Sequence, residues 1–327
     1  MFCERGKSMK RTWYDLRHAL CMGLVMPMLL TVLVRLTAVR GEVPEFTPPE
    51  TWDSSRQVVF TTGEREDLQT YLVGVLLGEI PADFSMEALK AQAVAARTYT
   101  QKAISTGRKH GGALCTQANC CQAYCPVETY LQKGGSEENV QRIQEAVADT
   151  DGQVLTYGGD YIEATFFSCS GGKTEDAVDV WGVAYPYLLS TDSPGEENAR
   201  YYRETTLFSR EQLEKLLDIT LPEDPESWAS NLELTQGGGV KNVELGGSCF
   251  SGVELRQKLG LRSAAFTVEP EGEGLTFETR GYGHRVGLSQ FGAEAMARGG
   301  AAFREILMHY YPGTTLEWEK NRKNVEK

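Results

Sequence analysis

A dense pattern of apolar residues falls in the stretch YLVGVLLGEIP, residues 71–81. Three apolar residues recur there at helical spacing, namely Leu72, Val75 and Leu76. This spacing predicts a short helix whose apolar face also carries Glu79. Pro81 ends that helix, because the residue before a proline is pushed out of the α region. The pattern therefore places a carboxyl group in the last helical turn, on the buried side.

Two readings of Glu79 follow from that position. The negative end of the helix dipole and partial burial both disfavour the anion, which is how a glutamic acid stays protonated near neutral pH. The simpler reading is a rim glutamate that caps a core helix. An alanine-rich helix is predicted next, between an N-cap at Ser85 and a C′ glycine at Gly107. Arg97 lies on its packed face, so it has a carboxylate or sugar partner, or it extends past the core to solvent.

The rest of the chain alternates helical and strand-like segments. SEENVQRIQEAVADTDG, FSREQLEKLL and SGVELRQKLGL predict capped helices, and QVLTYGGDYIEATFFS predicts two strands with a hairpin turn. A final amphipathic helix runs from Phe303 to Tyr310. We therefore expect an α+β fold of mixed helices and antiparallel strands, without tandem repeats.

The N-terminal residues differ from all that follows. Basic residues precede the apolar run Ala19–Val34, ALCMGLVMPMLLTVLV, and Arg35 follows it. This pattern predicts a cytoplasmic tail (1–18), one transmembrane signal-anchor helix (19–36) and a proline-rich linker (37–57). A single-pass membrane protein with an extracytoplasmic catalytic region is the resulting expectation. A cleaved signal peptide is the alternative.

Composition and charge narrow the function. The chain has 327 residues, 41% hydrophobic and 24% charged, which is ordinary for a globular protein. A formal net charge of −12 argues against a nucleic-acid partner. It suits a soluble region that acts on a neutral or weakly charged polymer.

Four of the eight cysteines crowd into one loop, and a histidine precedes them. These residues are His110, Cys115, Cys120, Cys121 and Cys125. Thiolates and imidazoles are the ligands that zinc prefers, so several of them meeting on one loop predict a metal site. A disulfide in an extracytoplasmic loop is the main alternative, and free thiols are another.

Two glycine-bearing polar loops, SCSGGKTEDAVDVWG and GYGHRVGLSQFG, are candidate sugar-binding segments. Glycines let backbone amides approach a ligand, and hydroxyl or amide side chains bond sugar hydroxyls. Each loop also reads as an ordinary hydrogen-bonded turn. The candidate substrate-binding residues are Ser168, Ser170, Gly171, Gly172, His284, Ser289 and Gln290.

The motifs that are missing also matter. The sequence contains no Gly-x-Ser-x-Gly elbow and no His-Glu-x-x-His motif, which argues against a serine hydrolase or a typical metallopeptidase. Ordinary glycosidases need two carboxylates. A lytic transglycosylase needs one acid, which protonates the glycosidic oxygen and then, as a base, takes the proton of the muramyl C6 hydroxyl. Glu79 fits that chemistry.

Several blocks, in order, resemble the stage II sporulation protein D family. They are Tyr71–Tyr99, CQAY at 121–124, FFSCSGGKTED with VWG, SGVELRQKLGLRS, and GHRVGLSQFGAEAMARGG with EILMHYYPGT. The resemblance spans roughly residues 58–316 and leaves 317–327 as a charged tail. It implies a two-lobed region with a glycan-binding cleft. It also implies a lytic transglycosylase that cuts MurNAc–GlcNAc bonds of stem-peptide-free glycan strands during forespore engulfment, leaving 1,6-anhydro-MurNAc ends.

Site residues and partners carry over from the same resemblance. The family's catalytic glutamate falls on Glu79 and its arginine on Arg97, while a loop zinc would be held by His110, Cys115 and Cys121. The implied partners are peptidoglycan, the amidase stage II sporulation protein P and the membrane protein stage II sporulation protein M. Related domains in amidase enhancers bind glycan and activate another hydrolase, which gives a second hypothesis. A zinc hydrolase centred on the cysteine loop is a third.

Overall fold

The computed structural model describes residues 57–319. The helices are α1 (Leu68–Glu79), α2 (Met86–Thr106), α3 (Val127–Gln132), α4 (Glu137–Asp149), α5 (Ala177–Trp181), α6 (Arg210–Leu217), α7 (Gly252–Leu259), α8 (Gln290–Arg298) and α9 (Phe303–Tyr310). The strands are β1 (Gln57–Val59), β2 (Arg65–Asp67), β3 (Gln153–Tyr157), β4 (Asp160–Tyr161), β5 (Phe166–Phe167), β6 (Arg203–Ser209), β7 (Ala229–Leu234), β8 (Val240–Leu245), β9 (Ser248–Ser251), β10 (Phe266–Glu271), β11 (Gly274–Arg280), β12 (Leu288–Ser289) and β13 (Thr315–Trp318). The expected mixture of helices and strands is confirmed.

The membrane part of the expected fold class needs correction. None of the helices in residues 57–319 combines the length and the apolar character that a membrane crossing requires. The predicted tail 1–18, the signal-anchor 19–36 and nearly all of the linker 37–57 lie outside the described residues. The fold is therefore mixed α+β, without a membrane-spanning helix in the part described. The predicted single-pass membrane location finds no support.

The two N-terminal helices form as the sequence predicts. Asp67 caps α1 by accepting hydrogen bonds from the backbone of Gln69 at 2.9 Å and Thr70 at 3.3 Å. The helix ends at Glu79, directly before the extended residue Ile80. α2 begins after Ser85, and its alanines are buried against α4, α8 and α9. Small side chains let these helices approach closely. α1 packs against both α2 and α4, and this packing holds the end of α1 in place.

Most strands belong to small sheets. Strands β10, β11 and β6 form an antiparallel sheet in that order, and so do β7, β8 and β9. A third antiparallel sheet has the order β13, β3, β4. The short strands β5 and β12 pair in parallel, which departs from the purely antiparallel expectation. That pair joins the two predicted sugar-binding loops, since β5 leads into one and β12 ends the other.

Two hydrophobic clusters organise the described residues. The larger one contains the inward faces of α1, α2, α4, α8 and α9. The smaller one lies among β6, β8, β10, β11, α6 and α7, with Trp228 buried in it. The last strand, β13, pairs Trp318 with Gln153 of β3. The predicted charged tail 317–327 therefore begins too early, because its first two residues belong to a sheet.

Candidate functional site

A cleft of about 1070 Å³ lies beside the end of α1. Its volume is at the upper end of what small-molecule sites usually occupy, so it has room for an oligomeric ligand. The cleft is lined by side chains from α1, which packs in the larger hydrophobic cluster, and from α7, which packs in the smaller one. The lining side chains that can carry charge or move protons include Glu79, Arg108, Lys109, Glu163, Arg256 and His284.

Glu79 lies in the cleft as the last residue of α1. Its Oε1 accepts one hydrogen bond, from the backbone N–H of Ala123 at 2.5 Å. Burial raises the pKa of the Glu79 carboxyl, and the Ala123 bond opposes that rise because it favours the anion. The expected protonated acid on an apolar helix face thus has a physical basis. The one backbone donor also gives the conjugate base a partner when the proton leaves.

Close backbone packing brings Ala123 to Glu79. The CQAY segment runs across α1 at two glycines, one helical turn apart. A Cβ on Gly78 would approach the carbonyl carbon of Ala123 to 3.0 Å, and one on Gly74 would come within 2.3 Å of the Tyr124 ring. The amide of Gln122 anchors the same segment by donating to Thr100 Oγ1 at 2.9 Å. Glycine at 74 and 78 is therefore what lets the loop reach the acid.

A second carboxylate lines the cleft, which sequence reasoning missed. Glu163 follows β4, is buried, and forms an ion pair with Arg108. Tyr187 lies close by, and its hydroxyl accepts from the Glu163 backbone N–H at 3.2 Å. The strand-like run DYIEATFF gave one signal, an acidic residue between buried apolar ones. Pairing with Arg108 neutralises this carboxylate and leaves Glu79 as the cleft acid without a cationic partner.

Arg97 does not reach the cleft. It is fully buried, and its guanidinium donates to the carbonyls of Thr150 at 2.7 Å, Val147 at 3.1 Å and Gln153 at 3.2 Å. These carbonyls lie at and just beyond the C-terminus of α4, where orphaned acceptors need donors. With these bonds Arg97 caps a helix end and ties α2 to α4, outside the cleft lining, and its catalytic role stays a prediction. It contacts Glu79 in none of these bonds.

The cysteine loop brings the three predicted metal ligands together and adds a fourth. Ligand atoms of His110, Cys115, Cys120 and Cys121 all lie within 4.8 Å of one another. Zinc–sulfur bonds of about 2.3 Å in a tetrahedron put two sulfurs about 3.8 Å apart, so the cluster fits that ion. Burial alone would raise the pKa of Cys115, but hydrogen bonds from the Gln117 backbone and the three neighbouring ligands lower it to about 6. Such a thiol is close to the deprotonated form that a metal binds.

Four of the predicted sugar-binding residues are absent from the cleft lining. Ser170 and Ser289 are fully buried, and Glu196 is 1% exposed among them. Glu196 accepts five hydrogen bonds. The donors are Ser170 N, Ser170 Oγ, Gly171 N, Ser193 Oγ and Ser289 Oγ. The Gly172 N–H donates to Ser170 Oγ. Ser170, Gly171, Gly172 and Ser289 thus hold two loops together outside the cleft lining, and the substrate-binding role expected of them stays a prediction.

The other three predicted residues do line the cleft, namely Ser168, His284 and Gln290. The His284 ring lies between Phe167 and Trp181, with ring centroids 5.5 and 5.3 Å away. Burial, helped by the positive charge of Arg256, lowers the pKa of His284 to about 4. The imidazole is therefore neutral at pH 7. Its Nδ1 accepts from the Val286 N–H at 3.1 Å, so the proton sits on Nε2.

Comparison with known proteins identifies the family. A family model described as Stage II sporulation protein matches residues 58–157, which include α1, the cysteine loop and α4. The chain is 38% identical over 258 residues to the stage II sporulation protein D of Bacillus amyloliquefaciens, covering 77% of this chain and 75% of that protein. The chain belongs to the stage II sporulation protein D family. The protein of the same name from Bacillus subtilis (strain 168) is also 38% identical, over 259 residues, with the same coverage.

A relative with a different name is found at lower identity. An amidase enhancer of Bacillus subtilis (strain 168) is 30% identical over 301 residues, covering 75% of this chain and 40% of that protein. That relative is named for enhancing an amidase.

Proposed function

We propose that this protein is a sporulation lytic transglycosylase of peptidoglycan. It would cut the MurNAc–GlcNAc bond of glycan strands that have lost their stem peptides. The observation that carries the proposal is Glu79, a carboxyl with a raised pKa that lines a large cleft and has one backbone donor. Among residues 57–319, the other carboxyl group in that lining is Glu163, which forms an ion pair with Arg108.

Glu79 performs both proton transfers in this proposal. As an acid it gives its proton to the glycosidic oxygen, and the bond from C1 of MurNAc to that oxygen breaks. As a base it then takes the proton of the C6 hydroxyl of the same MurNAc, whose oxygen forms the new bond to C1. The carboxyl ends as it began, and no water enters the product. Between the two steps the Ala123 N–H stabilises the carboxylate.

The attacking hydroxyl is part of the substrate, so a second catalytic carboxylate is not needed to activate it. Intramolecular attack gains the proximity that a bound water would lack. A hydrolase of the usual kind would need both carboxyl groups free to act. The ion pair of Glu163 with Arg108 therefore favours the transglycosylase over a two-carboxylate hydrolase.

The cysteine cluster would hold a zinc ion through His110, Cys115, Cys120 and Cys121. Four protein ligands make a closed site, which is typical of structural rather than catalytic zinc. Such an ion would supply a cross-link in the loop that ends at Ala123, two residues after Cys121. This ligand count disfavours the zinc-hydrolase hypothesis. The metal's effect on the reaction would come through the position of the Ala123 N–H.

The test is digestion of peptide-free glycan strands with the full chain, followed by mass spectrometry of the new ends. Wild type should produce 1,6-anhydro-MurNAc ends. Glu79→Gln should reduce the rate by about 10²- to 10⁴-fold, as expected for loss of a general acid and base, while folding normally. Glu163→Gln is the matched comparison, because it removes the other lining carboxylate. Reducing ends that contain added water, or full activity in Glu79→Gln, would refute the proposal.

An amidase activator is the second candidate, and the similarity to the amidase enhancer favours it. In either role we propose partnership with the amidase stage II protein P and the membrane protein stage II protein M during engulfment. The two functions differ at Glu79. A pure activator should stimulate the amidase equally well with Glu79→Gln, whereas a catalyst should lose its own product.

A further inference from the structure

Arg256 is a cleft residue that the proposed reaction does not use. It lies on α7, within the block SGVELRQKLGLRS. Ser251 caps this helix by accepting from the Glu254 N–H at 3.1 Å, and Leu255 and Leu259 pack into the smaller hydrophobic cluster. With that face buried, the Arg256 side chain lines the cleft.

The guanidinium of Arg256 has a backbone partner but no acidic one. Its Nε donates to the carbonyl of Arg262 at 3.2 Å. Among residues 57–319, no carboxylate oxygen lies within 4.0 Å of a guanidinium nitrogen of Arg256, so Arg256 forms no ion pair there. Burial lowers the pKa of Arg256. The side chain that opposes this shift is Tyr282, and not a carboxylate. A half-buried cation without a counter-ion is costly unless a ligand supplies the negative charge.

Lys109, which is exposed, also donates to a backbone carbonyl, that of Cys120. The neighbouring arginines differ from Arg256, because each has an acidic partner. Arg108 is paired with Glu163. Arg262 is paired with Glu204 at 2.8 Å. Arg256 is thus the arginine whose charge is left for the cleft, in a protein whose formal net charge is −12.

The surroundings of Arg256 suit a sugar that carries an acid. Arg256 lies near His284, because the Arg256 Nε and the backbone N–H of Gly283, the residue before His284, both donate to the Arg262 carbonyl, at 3.2 and 3.0 Å. Trp181 lies 5.3 Å from His284, is 40% exposed and lines the same cleft. An exposed indole offers an apolar face to a sugar ring, and a guanidinium fork matches a carboxylate. The two features together favour an anionic saccharide over a neutral one.

We propose that Arg256 binds the carboxylate of the lactyl ether of MurNAc and thereby selects glycan strands without stem peptides. This assignment rests on the proposed glycan substrate. In a stripped strand the lactyl carboxylate is the ionised group of each disaccharide. When a peptide is attached, that carboxylate becomes a neutral amide, and the arginine loses its partner. Arg256 is thus a specificity-determining residue, separate from the proton transfers at Glu79.

The test measures binding of defined oligosaccharides by calorimetry. The full chain with Glu79→Gln is used, so that the ligand is not consumed. The ligands are a peptide-free GlcNAc–MurNAc tetrasaccharide, the same tetrasaccharide with its lactyl carboxylates converted to methylamides, and chitotetraose, which has no lactyl ether. These three separate recognition of the charge from recognition of the sugar.

The carboxylate form should bind about 10- to 100-fold more tightly than the methylamide, as expected for hydrogen bonds to a charged group. Arg256→Gln should bind both forms equally, at the affinity of the methylamide. The matched control is Lys258→Gln, which removes one positive charge from the same helix outside the cleft lining and should keep the discrimination. Arg256→Lys should keep part of it, which covers the case in which the glutamine variant does not fold.

Equal binding of the acid and the methylamide by the parent chain would overturn the inference, and so would discrimination that survives in Arg256→Gln. Failure to bind any of the three ligands would overturn it as well. Failure of the proposed function is seen separately, as an absence of anhydro ends when the chain with Glu79 intact digests peptide-free strands. Discrimination in the binding assay without such ends would keep the role of Arg256 and reject the transglycosylase.

Discussion

Two glutamates, one partly buried and one fully buried, have opposite surroundings in this protein. Glu79 lines the cleft and accepts one hydrogen bond, from Ala123. Glu196 is outside the cleft lining and accepts five, from the loops that carry Ser170 and Ser289. What differs is how many donors are directed at the carboxylate.

That difference separates a candidate acid from a group that holds a structure. The five hydrogen bonds to Glu196 tie together the loops that carry Ser170 and Ser289. A buried carboxyl with a single donor is nearly as well off with its proton, and burial raises its pKa. The number of donors around a buried carboxylate is therefore a better guide to chemistry here than the motif around it.

The largest effect on stability should come from Glu196→Ala. Removing this carboxylate leaves buried donors on two loops without an acceptor, and the penalty for breaking a buried charged network is about 3–5 kcal/mol. We expect the free energy of unfolding, from urea denaturation, to fall by that amount. The matched control is Glu197→Ala, the exposed neighbour, which should change it by less than about 0.5 kcal/mol. Equal effects in the two variants would mean that the Glu196 network does not stabilise the fold.

A smaller effect is expected at the cysteine cluster, which lies in the loop that supplies the Ala123 donor to Glu79. The quantity affected there is the affinity for zinc. Cys120→Ser removes one of the four ligands and should weaken zinc binding by more than the 10- to 100-fold that loss of an outer-shell partner costs. Competition with a chromophoric chelator measures the affinity. Cys125→Ser is the control, since this thiol is in the same loop but outside the cluster. Zinc affinity that drops in Cys125→Ser and not in Cys120→Ser would reject the ligand set.

The smallest effect is the pH dependence of stability that Glu79 itself creates. A raised folded-state pKa means that the folded chain holds the proton more tightly, so the contribution of Glu79 is complete below the unfolded pKa of about 4.3 and is lost as the pH rises through the folded value. Wild type should therefore lose stability relative to Glu79→Gln over that range. Glu269→Gln, at an exposed strand position, provides the comparison. A difference between wild type and Glu79→Gln that grows in favour of wild type with pH would contradict the account.

The sequence was most informative where local rules decide the structure. Helix spacing and Pro81 were enough to predict that Glu79 ends a helix, and the cluster of cysteines predicted that three ligands meet. Cys120 was a candidate on the same loop but was left out of the three-ligand set. Which of two adjacent thiols faces a site depends on the path of the loop backbone. A local sequence pattern does not specify which distant residue pairs with a buried charged side chain.

Arg97, Glu163 and Glu196 illustrate that limit. The packed-face position of Arg97 correctly indicated a buried cation, but its partners are carbonyls at the end of α4, some fifty residues away in sequence. Glu163 finds Arg108, and Glu196 finds donors 26 and 93 residues distant. These pairings are set by how the helices and loops pack, which a pattern of residue types along the chain does not specify.

The proposed mechanism requires that one acid, Glu79, acts twice and that no water enters the product. The most direct measurement is digestion of peptide-free glycan strands in water enriched in ¹⁸O, with mass analysis of the new MurNAc ends. If Glu79 acts twice, the new ends are anhydro ends that carry no ¹⁸O. MurNAc ends that are heavier by one labelled water, formed at the wild-type rate and lost in Glu79→Gln, would show that the same acid drives hydrolysis and would contradict it.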